Sequence, residues 1–126
     1  MRARFEYTGI RVRDLEASIA FYTKVLGMRY LGKNEIAVVK GEVASLESEE
    51  GGFQLELNHY AKGSKYYTRY RAGEELDHLA FQVDDIDQFL EHAEKMGRPA
   101  VAEVKTEKSR WVYIKDPNGI WIEIVE

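Results

Sequence analysis

Apolar residues along this chain follow two rhythms, and the order of those rhythms occurs twice. The stretch from Tyr7 to Leu15 and the stretch from His78 to Ile86 superimpose with one constant offset, each an extended segment ending at an acidic turn. A helical period follows each: Leu15, Ile19, Tyr22 and Leu26 in the first copy, and Ile86, Phe89, Leu90, Ala93 and Met96 in the second. Asp14, and Asp84 or Asp85, stand where an N-cap carboxylate accepts orphan backbone N–H groups, and Gly27 and Gly97 stand where a helix ends in a left-handed residue. Short strand-like runs come next: Arg29 to Gly32, Glu35 to Lys40 and Val43 to Glu47 in the first half, Ala100 to Val104 and Trp111 to Lys115 in the second. Each half closes on a similar strand, Gly52 to Leu57 and Gly119 to Ile124, with a glutamate four residues after the turn glycine.

The pattern predicts a βαβββ unit made twice, hence an α+β fold of two modules with curved mixed sheets and helices on the convex side. The modules are residues 1–60 and 75–126, joined within one domain by a partly helical linker, 61–74. Strand alternation places Glu56 with Gln54 on one face, and Glu123 with Trp121 on the matching face of its own copy. A lone strand glutamate is ordinarily a solvent-facing position of a half-buried strand; its recurrence at the same place in both halves singles these two out. If each sheet curls, Tyr7 meets Glu56 and His78 meets Glu123. Packing two such units together, within the chain or against a partner chain, then gathers two carboxylates, an imidazole and a phenol. Such donors suit a divalent ion of the zinc, nickel, cobalt, manganese or iron(II) type.

Composition narrows the chemistry. The 126 residues, 44% of them hydrophobic, suffice for one core without disulfides. There is no cysteine, so any metal is held by nitrogen and oxygen. A net charge of -4 argues against a dedicated nucleic-acid binder. No apolar run approaches the roughly 20 residues that span a bilayer, which leads to the expectation of a soluble, cytoplasmic protein without a membrane partner.

Two segments carry a family resemblance. Ser18 to Gly27 fits the helix pattern S-x-x-F-Y-x-x-x-L-G, and Asp116 to Glu123 fits the terminal hairpin pattern D-P-x-G-x-x-x-E. Both are similar to the vicinal oxygen chelate superfamily, which unites glyoxalases, bleomycin-resistance proteins and dioxygenases, and within it the chain looks most like glyoxalase I. The resemblance implies a metal-dependent lyase or isomerase that removes a proton next to a carbonyl while a metal, zinc or nickel first, holds the enediolate. It puts metal ligands at Glu56, His78 and Glu123, with Glu56 or Glu123 the general base. Tyr7 stands where the family has histidine or glutamine, and a neutral phenol, whose reference pKa is about 10, is a weak ligand at pH 7.

The same resemblance gives Arg11 a substrate carboxylate to bind and leaves Asn58 and Trp111 as pocket residues, with core packing the ordinary role of a strand tryptophan. The expected substrate is a small molecule, such as a thiol adduct of an α-keto aldehyde; glutathione is not secured as the thiol. A homodimer whose chains share each site is implied as well. Two alternatives stay open: a metal-free binding protein of the bleomycin-resistance kind, and a methylmalonyl-CoA epimerase-like enzyme. A ring-cleaving dioxygenase normally lacks a ligand at the place of Glu56. Between the modules, Tyr66, Tyr67 and Tyr70 are expected to pack on the sheet or a partner while Lys65, Arg69 and Arg71 face water, an anionic substrate or CoA-type tail being the other use of this segment. His92 reads as solvated on the second helix and His59 as a loop histidine.

Overall fold

The structure, a computed structural model, describes residues 1–25, 27–71, 73–115 and 121–126. It is a mixed α+β chain in two compact units, Tyr7–Asp77 and His78–Glu126, the latter joined by Met1–Glu6.

In the first unit β1 (Arg4–Arg11, whose first residues belong to the second unit) leads to α1 (Leu15–Ala20) and then to β2 (Arg29–Ile36), β3 (Gly41–Glu47) and β4 (Gln54–Tyr60). The strands lie in the order β2-β3-β4-β1, antiparallel except for the parallel pair β1 and β4. Asp14 caps α1, its carboxylate accepting from the Ala17 N–H at 3.0 Å. The helix widens into a π turn over Phe21–Val25, where the Thr23 hydroxyl donates to the Ile19 carbonyl at 2.7 Å, and Gly27 follows with φ 71°. Leu26, expected on the apolar stripe, lies outside the described residues. The stripe that is described, Leu15, Ile19 and Tyr22, packs on Val12, Ala44, Leu46 and Leu57 of the sheet. These strands therefore bury one face under the helix and turn the other away from it.

The second unit repeats the plan with β5 (Leu76–Gln82, its first residues lying in the first unit), α2 (Ile86–Lys95), β6 (Ala102–Lys105), β7 (Arg110–Lys115) and β8 (Trp121–Val125). The order is β5-β8-β7-β6, again with one parallel pair, β5 and β8. Asp85 is the N-cap, accepting from the Gln88 N–H at 2.9 Å, while Asp84 pairs with Arg4. Val83, Ile86, Val112 and Ile124 form the core, with Phe89 and Leu90 of α2 against it. Gly97 ends this helix region with φ 81°.

Three local expectations change. Residues Glu35 to Lys40 do not form a strand of their own: Glu35 and Ile36 end β2, a 3-10 turn occupies Ala37–Val39, and Lys40 takes the left-handed region at φ 52°. The β-branched run there caps a hairpin, which leaves Val38 largely exposed. The described residues of the 61–74 segment form turns and no helix; the chain bends at Ser64, whose hydroxyl oxygen accepts from the Tyr66 N–H at 3.1 Å. His59 is a strand residue of β4, opposite Glu42, and not a loop histidine. The hairpin turn 116–120 lies outside the described residues.

Candidate active site

Register sets up the chemistry. In the second unit Ala80 lies across from Glu123, so His78, two residues earlier on β5, shares a face with it. On the other flank of β8, Tyr113 of β7 is directly opposite Glu123. Ile122 and Ile124 turn to the helix, which leaves Glu123 on the face away from it.

The three side chains meet on one atom. His78 Nε2 is 3.1 Å from Glu123 Oε2, and the Tyr113 hydroxyl donates to that same oxygen at 3.2 Å. The imidazole and the carboxylate are only 3% and 9% exposed, so the pair is desolvated, and each partner compensates the other's polarity. The rings continue the cluster: His78 meets Tyr113 edge-on at 6.2 Å, Tyr113 meets Trp121 edge-on at 5.0 Å, and the Lys115 ammonium lies 5.0 Å from the Trp121 ring centre. Sequence reasoning missed Tyr113. Its signal is the antiparallel register of β7 and β8, which sets Tyr113 opposite Glu123.

In the first unit the register recurs. Gly9 lies across from Glu56 on β1, Tyr7 is two residues earlier, and the residue directly opposite Glu56 on β3 is Ser45. Glu56 and Tyr7 are both half-buried. Further along the same face, Asn58 is buried, and its amide N–H group donates to the carbonyls of Glu56 at 3.4 Å and Ile10 at 3.5 Å. The Tyr60 ring packs over Gly41, where a Cβ would come within 2.7 Å of the ring. The Tyr60 hydroxyl donates to Asp77 at 3.1 Å, and Arg11 reaches the other oxygen of Asp77 at 3.5 Å.

His78 and Glu123 are thus brought together in one unit, and Tyr7, Glu56, Arg11 and Asn58 belong to the other. Trp111 sits on β7 opposite Val104, half-buried. Among the described residues no group of three or more histidine and acidic side chains gathers at one point. The pair that does form fits a metal: two donors at about 2.0–2.2 Å from one ion lie roughly 3–3.5 Å apart, and His78 and Glu123 are 3.1 Å apart. His92 is exposed on α2, as expected of a solvated residue.

Comparison with known proteins establishes the family. Residues 4–124 match the model of the Glyoxalase/Bleomycin resistance protein/Dioxygenase superfamily, and the chain belongs to that superfamily. It is 37% identical to the uncharacterized protein YwbC of Bacillus subtilis, with 100% of this chain and 99% of that protein covered. It is 35% identical to a probable lactoylglutathione lyase of Vibrio cholerae (98% and 90% covered) and 32% identical to the lactoylglutathione lyase of Salmonella typhimurium (98% and 92% covered). Among solved structures, methylmalonyl-CoA epimerase from Mycobacterium tuberculosis superimposes with a TM-score of 0.84 at 24% identity, covering 98% of this chain and 87% of that one, a likeness of fold. No helix among the described residues is long and apolar enough to cross a membrane.

Proposed function

We propose that this protein is a metal-dependent lyase or isomerase of the glyoxalase I type, acting on a thiol adduct of an α-keto aldehyde. The observation that carries the reading is the desolvated His78–Glu123 pair with its donor atoms at ligand spacing. Identity of 32–35% over nearly the whole chain to proteins named lactoylglutathione lyase supports it.

His78, Glu123 and Glu56 would hold a divalent ion, zinc or nickel first, with Tyr7 in the place of a fourth ligand. The ion supplies Lewis-acid stabilisation of the charge that develops on the substrate oxygens. The chain's own part is to position and to move a proton. A carboxylate, Glu123 or Glu56, takes the proton from the carbon beside the carbonyl and returns it to the former carbonyl carbon, while the adduct's hydroxyl proton passes to the former carbonyl oxygen, converting the adduct into a thioester. A dry site favours this step, because a carboxylate stripped of water is a stronger base. In this reading Arg11 and Trp111 meet the substrate, whereas Asn58, expected there too, is buried and ties β1 to β4 through its bonds to the Ile10 and Glu56 carbonyls; a homodimer would let the chains share each site.

Protein purified without chelator is expected to hold about one divalent ion per site and to turn over methylglyoxal in the presence of a thiol. A second reading, a metal-free binding protein, is favoured by Tyr7 at the first ligand place; it predicts no metal uptake on reconstitution with zinc, nickel or cobalt and no turnover with any thiol.

A further inference from the structure

In the second unit's site, Tyr113 is the group that the proposed chemistry does not use. His78 and Glu123 are read as ligands and Glu123 also as a base, but the Tyr113 hydroxyl, 3.2 Å from Glu123 Oε2, has neither task. The residue is only 6% exposed. Packing alone would be served as well by phenylalanine, and burying a phenol strips its hydroxyl of water. What meets that hydroxyl instead is a carboxylate, itself 9% exposed, in a charge-assisted hydrogen bond.

Its surroundings fix where the ring sits. Tyr113 lies on β7, the strand between β6 and β8, opposite Ala102 on one side and Glu123 on the other, and its carbonyl accepts from the Val101 N–H at 2.8 Å. The Trp121 ring meets it edge-on at 5.0 Å and the His78 ring edge-on at 6.2 Å. A tyrosine so held has the place of its hydroxyl set by the ring, whereas a glutamate has three side-chain torsions to order before its carboxylate stands in one place. The phenol is therefore the rigid end of the contact and Glu123 the adjustable end. A carboxylate oxygen has more than one lone pair, so an O–H on Oε2 leaves the group able to take an ion beside His78. In the first unit the residue opposite Glu56 is Ser45, so the repeated backbone plan does not itself require a phenol at this place.

We propose that Tyr113 is a positioning residue: its hydroxyl braces Glu123 so that the carboxylate and the His78 imidazole present their donor atoms to one divalent ion before the ion arrives. The proposal rests on the metal-dependent reading of the site and adds to it a residue outside the ligand set. A ligand held in place beforehand need not be ordered when the ion binds, and the hydrogen-bonding partners of metal ligands typically carry about 10- to 100-fold in metal affinity.

The test is a double-mutant cycle on the full chain with cobalt(II) as the probe. Tyr113→Phe keeps the ring and removes one oxygen, and it is made both in the wild-type chain and in Glu123→Gln. Affinity is read by competition with a chromogenic chelator, the visible absorption of the bound cobalt reports the arrangement of its ligands, and the melting temperature of the metal-free chains reports the fold. With Glu123 present, Tyr113→Phe is expected to lower cobalt affinity about tenfold or more and to alter the visible bands of the bound ion. In Glu123→Gln, where no carboxylate is left to hold, the same substitution should cost less than about threefold. Equal losses in the two backgrounds, as a merely structural phenol would give, or a Tyr113→Phe chain with the affinity and spectrum of the wild type, would overturn the proposal. Failure of the metal reading looks different: the wild type itself then takes up no cobalt, and the positioning role falls with it.

Discussion

The two units share a backbone plan and differ in the chemistry mounted on it. Four buried core positions correspond: Val12 with Val83, Leu15 with Ile86, Leu57 with Ile124, and Ala44 with Val112; Leu46, fully buried, has only the partly buried Ile114 in its place. With the helix-side positions in register, the opposite faces are in register too, so Gly9 lies across from Glu56 as Ala80 lies across from Glu123. On those faces the residues part company. Glu123 has an imidazole and a phenol on one of its oxygens, whereas the equivalent neighbours of Glu56 are Tyr7 and Ser45. Core packing constrains where a side chain is presented, and leaves what is presented open to change.

That comparison breaks most visibly at Glu123. Glu123→Gln keeps the shape but removes the charge, and kcat for the methylglyoxal–thiol adduct is expected to fall about 10³-fold; a rate within twofold of wild type would remove Glu123 from the chemistry. Next comes the brace: Tyr113→Phe deletes the hydroxyl on Glu123 and should cost about 10- to 100-fold in metal affinity or activity. Ser45→Ala, at the equivalent place in the other unit, should change either quantity by less than about threefold. Equal effects of the two, read by competition with a chromogenic chelator, would show that the brace does not matter. Making the units more alike sharpens the contrast: Tyr7→His replaces a weak ligand with a good one, and nickel or cobalt affinity should rise about tenfold. The smallest difference is expected in the helix caps. Asp14→Ala and Asp85→Ala each remove one carboxylate from an N-cap, and each should cost about 1 kcal/mol in urea unfolding.

Much of this was legible in the sequence because it rests on short-range periodicity. The repeated βαβββ order, both aspartate caps and the positive φ of Gly27 and Gly97 follow from spacing of apolar, acidic and glycine positions. What escaped depends on register or on competition between local preferences. Ile36 to Val39 has strand composition, but the hairpin between β2 and β3 needs a tight turn there, and Lys40 accepts left-handed backbone to close it. His59 looked like loop because the strand's end is set by pairing with Gly41 and Glu42, residues distant in sequence. Tyr113 carries no motif; its place beside Glu123 comes from cross-strand register in the last hairpin.

The central proposal is that Glu56, like Glu123, is a ligand of the divalent ion. Equilibrium binding of nickel to wild type, Glu56→Gln and Glu123→Gln tests it most directly. The account predicts about one ion per site for the wild type and a loss of about tenfold or more in affinity for each variant. Wild-type affinity retained in Glu56→Gln, with loss only in Glu123→Gln, would contradict it.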